Sequence, residues 1–168
     1  RIANNPSPGP MLLSHQPFYK ENADVVEWLA GLCHQAEPLF LLRGTTLTFQ
    51  CAAAHHTAAI HRDRLEQAVW NLLSNALKFT PDGGSVTVTR RLGHRQVLLA
   101  VSDTGCGIPA ADLPRVTEAF YMVDKSRSRA DGGSGIGLAL CTRIVQAHGT
   151  QLQINSTEGV GTTIAIPI

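Results

Sequence analysis

The chain has little that would hold it together by covalent or metal chemistry. Its 168 residues include four cysteines, Cys33, Cys51, Cys106 and Cys141, and no two of them form a Cys-x-x-Cys pair. That spacing argues against a zinc site or a disulfide framework and for a reducing, cytoplasmic setting. Aromatic residues make up 5%, and charge is balanced: 14 Lys and Arg against 13 Asp and Glu, a formal net charge of +1. Such a balance exerts no broad pull on nucleic acid or on a membrane surface, and neither is expected as a partner. No apolar run approaches the ~20 residues of a spanning helix, and no charged-then-apolar leader opens the sequence. Hydrophobic residues still amount to 43%, enough at this length for one domain with a core.

The opening RIANNPSPGP is rich in Pro, Asn and Gly. Residues 1–20 are therefore read as a linker or the end of an upstream helical hairpin, and 21–168 as the domain. In NADVVEWLAGLCHQAEPLF, Val25, Val26, Leu29, Leu32 and Cys33 recur at helical spacing. Asn22 or Asp24 would cap that helix and Pro38 would follow its end. TTLTFQ alternates like a strand, and AAIHR reads as a short one. The strongest helix runs from Asp63 to Phe79: Leu65, Val69, Leu72, Ala76 and Phe79 gather on one side, with Gln67, Asn71, Asn75 and Lys78 roughly opposite. TPDGG stops it. SVTVTR and QVLLAVSD follow as a hairpin through Gly93. GIGLALCTRIVQAHG then reads as a helix, and QLQINS and TTIAIPI as strands around a turn at 158–161. Without a βαβ rhythm, this predicts an α+β fold: a two-layer sandwich of a mixed, mostly antiparallel sheet with helices on one face.

Three polar features need a reason. Asn71 and Asn75, one turn apart on an apolar helix, either meet local hydrogen bonds or turn toward a polar ligand. Magnesium suits such amide oxygens, because it completes its shell with water and phosphate, and Lys78 would add a point charge for phosphate. Asp103 ends a strand in VSDTGCGIP; its carboxylate only accepts hydrogen bonds and would select an N–H such as the adenine amine over a carbonyl. Gly105 and Gly107 would let the main chain pass close to a flat base, although Asp-Gly turns are common. GGSGIGLAL bares N–H groups at a helix start, a phosphate site that matches neither the P-loop nor the dinucleotide fingerprint. The basic DKSRSRADGG between them is either a solvated loop or a lid bringing Lys125, Arg127 or Arg129 onto phosphates.

The order of these segments resembles the catalytic, ATP-binding domain of bacterial sensor histidine kinases, in the superfamily of gyrase-type and chaperone-type ATPases. LEQAVWNLLSNALKFTP is similar to the N box, DTGCGIP to the first glycine box, EAFYMVDKSRSR to the F box and lid, and GGSGIGLALCTRIVQAHG to the second glycine box. The likeness covers roughly residues 22–168. It implies a Bergerat-type fold with ATP and magnesium as cofactors. It also implies that Asn75 ligates the metal beside Asn71, and that Lys78 and Phe79 lie near phosphate and base. Asp103 would bind the adenine amine, Gly105, Gly107 and Ile108 would shape its pocket, and Thr162 would lie nearby. Gly133, Ser134, Gly135, Ile136, Gly137 and Leu138 would form the hinge and phosphate end.

Thr117, Ala119 and Met122 depart from the pattern, where Phe, Pro and Arg are common; slower transfer is the expected result. The phosphoacceptor of this family is a histidine usually followed by Glu or Asp. Here the residues after His15, His34, His55, His56, His61, His94 and His148 are Gln, Gln, His, Thr, Arg, Arg and Gly. The acceptor is therefore expected on a separate dimerisation hairpin of the same or a partner protein, with a response regulator downstream. The parent could be membrane-anchored with this part in the cytoplasm. Two alternatives stay open: a nucleotide-binding regulatory module without kinase activity, and a serine kinase of the anti-sigma type.

Overall fold

The structure is a computed structural model and describes residues 18–118 and 137–168. Asp24 organises its start, closing strand β1 (Glu21–Asp24) and capping helix α1 (Val25–Leu42). Its Oδ1 accepts from the N–H groups of Val26 (3.1 Å) and Glu27 (3.4 Å), which the helix cannot satisfy internally. β1 pairs antiparallel with β3 (Thr57–Ile60), and His56, just before β3, donates its N–H to the same oxygen at 3.3 Å.

Asp24 Oδ2 also meets His55 Nδ1 at 2.6 Å. This bond is the largest cause of a fall in the Asp24 pKa from 3.8 to about 2, and it raises His55 above its ordinary 6.5. The depressed acid adds stability above about pH 4 that disappears as pH falls toward 2. The raised base adds stability below about pH 6.5 that disappears as pH climbs through its folded value. The pair therefore helps most between those limits, weakly and in a salt-sensitive way because His55 is exposed. The Tm difference between the chain and its His55→Gln variant should be larger at about pH 5.5 than at about pH 8.5. Equal differences would remove the pair from the account.

α1 buries Val25, Leu29, Leu32, Cys33, Ala36 and Phe40. Contrary to the expectation from sequence, Pro38 lies inside the helix and does not end it. Pro38 is exposed, as is His34, whose carbonyl receives no N–H from it, while Phe40 anchors the next turn in the core. The stop falls at Gly44 (φ +68°), where the N–H groups of Gly44 and Thr45 bond the carbonyls of Leu41 (3.1 Å) and Phe40 (3.0 Å).

Helix α2 (Arg62–Phe79) starts at His61, whose Nδ1 accepts from the Arg64 N–H at 3.3 Å. Leu65, Ala68, Val69, Leu72, Leu73 and Ala76 face the core. Phe79, grouped with the apolar side by spacing, is only half-buried. Helix α3 (Gly137–Ala147) adds Cys141, Ile144 and Val145 to the same core. His148 follows it: Nε2 accepts the His61 N–H (3.0 Å) and Nδ1 meets the Ile144 carbonyl (2.9 Å). The first bond needs a bare Nε2, so Nδ1 carries the ring's proton and donates it. Burial is the main cause of a lowered His148 pKa, which favours this neutral form. Phe18 stacks on His61 and lies T-shaped to His148, with centroids 4.8 Å apart in both cases.

Five strands form the main sheet: β2 (Thr46–Cys51), β4 (Ser85–Leu92), β5 (Val97–Asp103), β7 (Gly161–Pro167) and β6 (Gln153–Thr157), side by side in that order. β2 and β4 are parallel, with β3 and α2 in the connection between them; the other pairs are antiparallel. Val86, Val88, Leu99, Val101, Ile164 and Ile166 share one core with helices α1, α2 and α3. The opposite face carries a small apolar cluster, Leu98, Ala100 and Ala165. The helices thus cover one face of a mostly antiparallel sheet, the expected two-layer α+β sandwich.

Candidate functional site

Strand register builds the site. One row across the helix-facing side is aliphatic: Val88, Val101, Ile164 and Ile154 pair in succession. Two residues toward one end of the sheet, the corresponding row reads Val86, Asp103, Thr162 and Ser156. Three polar side chains therefore stand together on a face that is otherwise core. Buried polar groups need partners, and these have them.

Asp103 Oδ1 accepts from the N–H groups of Gly105 (2.9 Å) and Thr162 (3.3 Å). Both bonds fall on one oxygen, so Oδ2 keeps its acceptor capacity. Burial, the largest cause, raises the carboxyl's pKa, and the two N–H bonds oppose that rise. The ionised form is thus short of solvation, and an N–H donor from a ligand would relieve it.

The turn after Asp103 packs against α2. A Cβ on Gly105 would run into the carbonyl of Phe79, the last residue of α2, and would sit 2.9 Å from Asp103 Oδ1. Gly107 has φ +71°, and a Cβ there would collide with the Thr157 carbonyl. Both glycines are needed for the close approach of this turn to the main chain of α2 and of the β6 end. The contact brings the C-terminal end of α2 up to the acid-bearing strand end.

Asn71, in the middle of α2, and Asn75, Lys78 and Phe79, in its last turns, are all half-buried. The three polar residues lie at the rim of the core, not on a solvated face opposite to it. Asn71 Nδ2 is fully buried and has no hydrogen-bond partner among the described residues. An orphaned buried amide is costly, and a ligand oxygen would satisfy it. Lys78 Nζ lies over the Phe79 ring, 5.5 Å from its centroid. Gly137 opens α3, and Leu138 packs half-buried against the core. Lys125, Arg127, Arg129, Gly133, Ser134, Gly135 and Ile136 lie outside the described residues, as do Ala119 and Met122.

Ser156 was not singled out from the sequence. Its signal is a phase: Ile154 points inward on β6, so the residue two further on does too.

Residues 60–168 match the family described as Histidine kinase-, DNA gyrase B-, and HSP90-like ATPase. Over 111 residues the chain is 44% identical to Sensor histidine kinase WalK of Bacillus subtilis (strain 168), covering 65% of this chain and 18% of that protein. It superposes on the Mycobacterial sensor histidine kinase MprB with a TM-score of 0.71 at 26% identity, covering 88% of this chain and 97% of that one. On full-length ShkA in complex with AMPPNP the TM-score is 0.76 at 25% identity, covering 89% of this chain and 31% of that one. The chain belongs to this family of histidine kinase-, gyrase- and HSP90-like ATPases. It spans under a third of the length of the curated relatives it matches. Among the described residues no helix is long and apolar enough to cross a membrane.

Proposed function

We propose that the chain is the ATP-binding catalytic domain of a two-component sensor histidine kinase. In this reading it holds magnesium-ATP and presents the γ-phosphoryl group to a histidine on a separate dimerisation domain, with a response regulator downstream. The observation that carries the reading is the junction of the polar row with α2. An acceptor carboxylate meets, through Gly105, the last residue of a helix that carries an orphaned buried amide further back, at Asn71. The nucleotide analogue in the ShkA structure supports the same reading.

The residues fit magnesium, which needs only one or two protein oxygens. Among the described residues no three His, Cys, Asp or Glu gather to hold an ion, so an amide is the natural ligand. When bound, the metal supplies charge neutralisation on the triphosphate, with Asn75 as its ligand and Asn71 beside it. Asp103 binds the adenine amine, partly through water, while Gly105, Gly107 and Ile108 admit the ring and Thr162 lies beside it. Lys78 adds positive charge near phosphate and Phe79 lies near the base. Lys125, Arg127 or Arg129 of the lid, and the glycines from Gly133 to Gly137, act at the phosphate end.

Transfer breaks the bond between the γ-phosphorus and the β–γ bridging oxygen and forms a bond to an imidazole nitrogen; ADP leaves with the electron pair. Such a reaction depends mostly on positioning and charge stabilisation. Among the described residues we assign no general base near the asparagines. Asp63 and Glu66 instead line a groove with Glu21, Asp24 and Glu27 at the starts of α1 and α2.

The test uses the chain, magnesium, γ-labelled ATP and the histidine-bearing hairpin of its own full-length protein. Acid-labile label should appear on the hairpin, and the chain alone should bind ATP with negligible turnover. Acid-stable label on serine, or fast magnesium-dependent hydrolysis without an acceptor, would overturn the reading.

A further inference from the structure

We infer that Ser156 is a positioning residue: it fixes the direction of the Thr162 hydroxyl and so makes the polar row select a ligand amine over a ligand carbonyl. This rests on the nucleotide reading above and adds to it a residue and a source of selectivity.

Ser156 Oγ has three partners. The Ile108 N–H lies at 2.8 Å, the Gly161 carbonyl at 3.1 Å and Thr162 Oγ1 at 2.8 Å. A serine hydroxyl has one proton and two lone pairs. The Ile108 N–H can only donate and the Gly161 carbonyl can only accept. Ser156 therefore gives its proton to Gly161 and receives from Ile108, and its remaining lone pair receives the Thr162 proton. Every valence of the serine is then engaged, and Thr162 presents only lone pairs on its other side.

Beside it stands Asp103, which as a carboxylate also only accepts. The Thr162 N–H donates to Asp103 Oδ1 at 3.3 Å, so the two side chains are held as neighbours. At 9% exposure, Thr162 has little water with which to reorient its hydroxyl. The result is an all-acceptor pair. A ligand amine offers two hydrogens and can satisfy both members, whereas a carbonyl faces lone pairs from each. Through Ile108, the same serine also ties the glycine turn to β6.

The experiment compares ATP with inosine triphosphate, which carries a carbonyl where adenine carries its amine. Equilibrium binding is measured on the chain and on Ser156→Ala, Ser156→Thr and Thr162→Val. The unaltered chain should prefer ATP. Ser156→Ala frees the Thr162 proton to donate, so the preference should narrow by roughly three- to tenfold. Ser156→Thr keeps the hydroxyl and should restore it. A purely structural role, through the lost Ile108 bond, would weaken both nucleotides equally and leave the ratio unchanged. That outcome overturns the inference. Should Ser156→Ala fail to fold, Thr162→Val removes the same acceptor with Ser156 intact, and an unchanged ratio there is equally fatal. Absence of ATP binding by the unaltered chain would overturn the nucleotide reading itself, and this inference with it.

Discussion

Asp103→Asn should weaken ATP binding by about 1–3 kcal/mol, or roughly five- to 150-fold in Kd. The substitution is nearly isosteric, so its effect is one of polarity. The amide has one oxygen, which the N–H groups of Gly105 and Thr162 already claim. Its NH2 group is then the part left for the ligand, and two donors would face each other. Burial raises the Asp103 pKa, so removing the charge should not harm the ligand-free fold. Calorimetric titration beside a thermal melt separates the two effects. Unchanged Kd would refute the adenine assignment.

Gly105→Ala should damage both fold and site. The added methyl meets the backbone of Phe79 and the Asp103 carboxylate, and neither is the free end of a flexible side chain. Overpacking of this kind costs about 1–3 kcal/mol, which lowers Tm by roughly 2–10 °C. Relief requires the end of α2 or the Asp103 side chain to move, so ATP affinity should fall as well. Gly31→Ala is the control: that glycine is exposed in α1 with nothing within 4 Å of its would-be Cβ. There alanine should raise Tm slightly, through helix propensity. A Gly105→Ala protein that melts and binds like the original would show that the turn and α2 are not in close contact.

Much of this was legible in the residues, for identifiable reasons. α2 combines a strong apolar period with the TPDGG stop, and both signals are local, so its bounds fell within one residue of those observed. β5 is a run of aliphatic residues ending in Asp103, a sharp change that marks a strand end. What was missed depends on distant partners. ENAD has no strand character and becomes β1 only by pairing with β3. Pro38 looks like a stop until Phe40 is seen buried beyond it. The asparagines read as opposite the core but are half-buried at its rim, because a helical wheel cannot show what neighbouring elements cover. Ser156 sits in a polar-looking strand whose one cue to its inward phase is Ile154, two residues earlier. Its part depends on three groups contributed by other segments of the chain.

The small hydrogen-bond circuit at the end of α3 bears on where phosphate could be received. An imidazole attacks phosphorus through a nitrogen with a lone pair to give. In His148 that pair is occupied by the main chain of His61, and the other nitrogen holds its hydrogen against Ile144. Phosphorylation there would first have to prise the ring away from the start of α2, the very helix that carries the asparagines. This half-buried histidine is thus chemically silenced by its own packing.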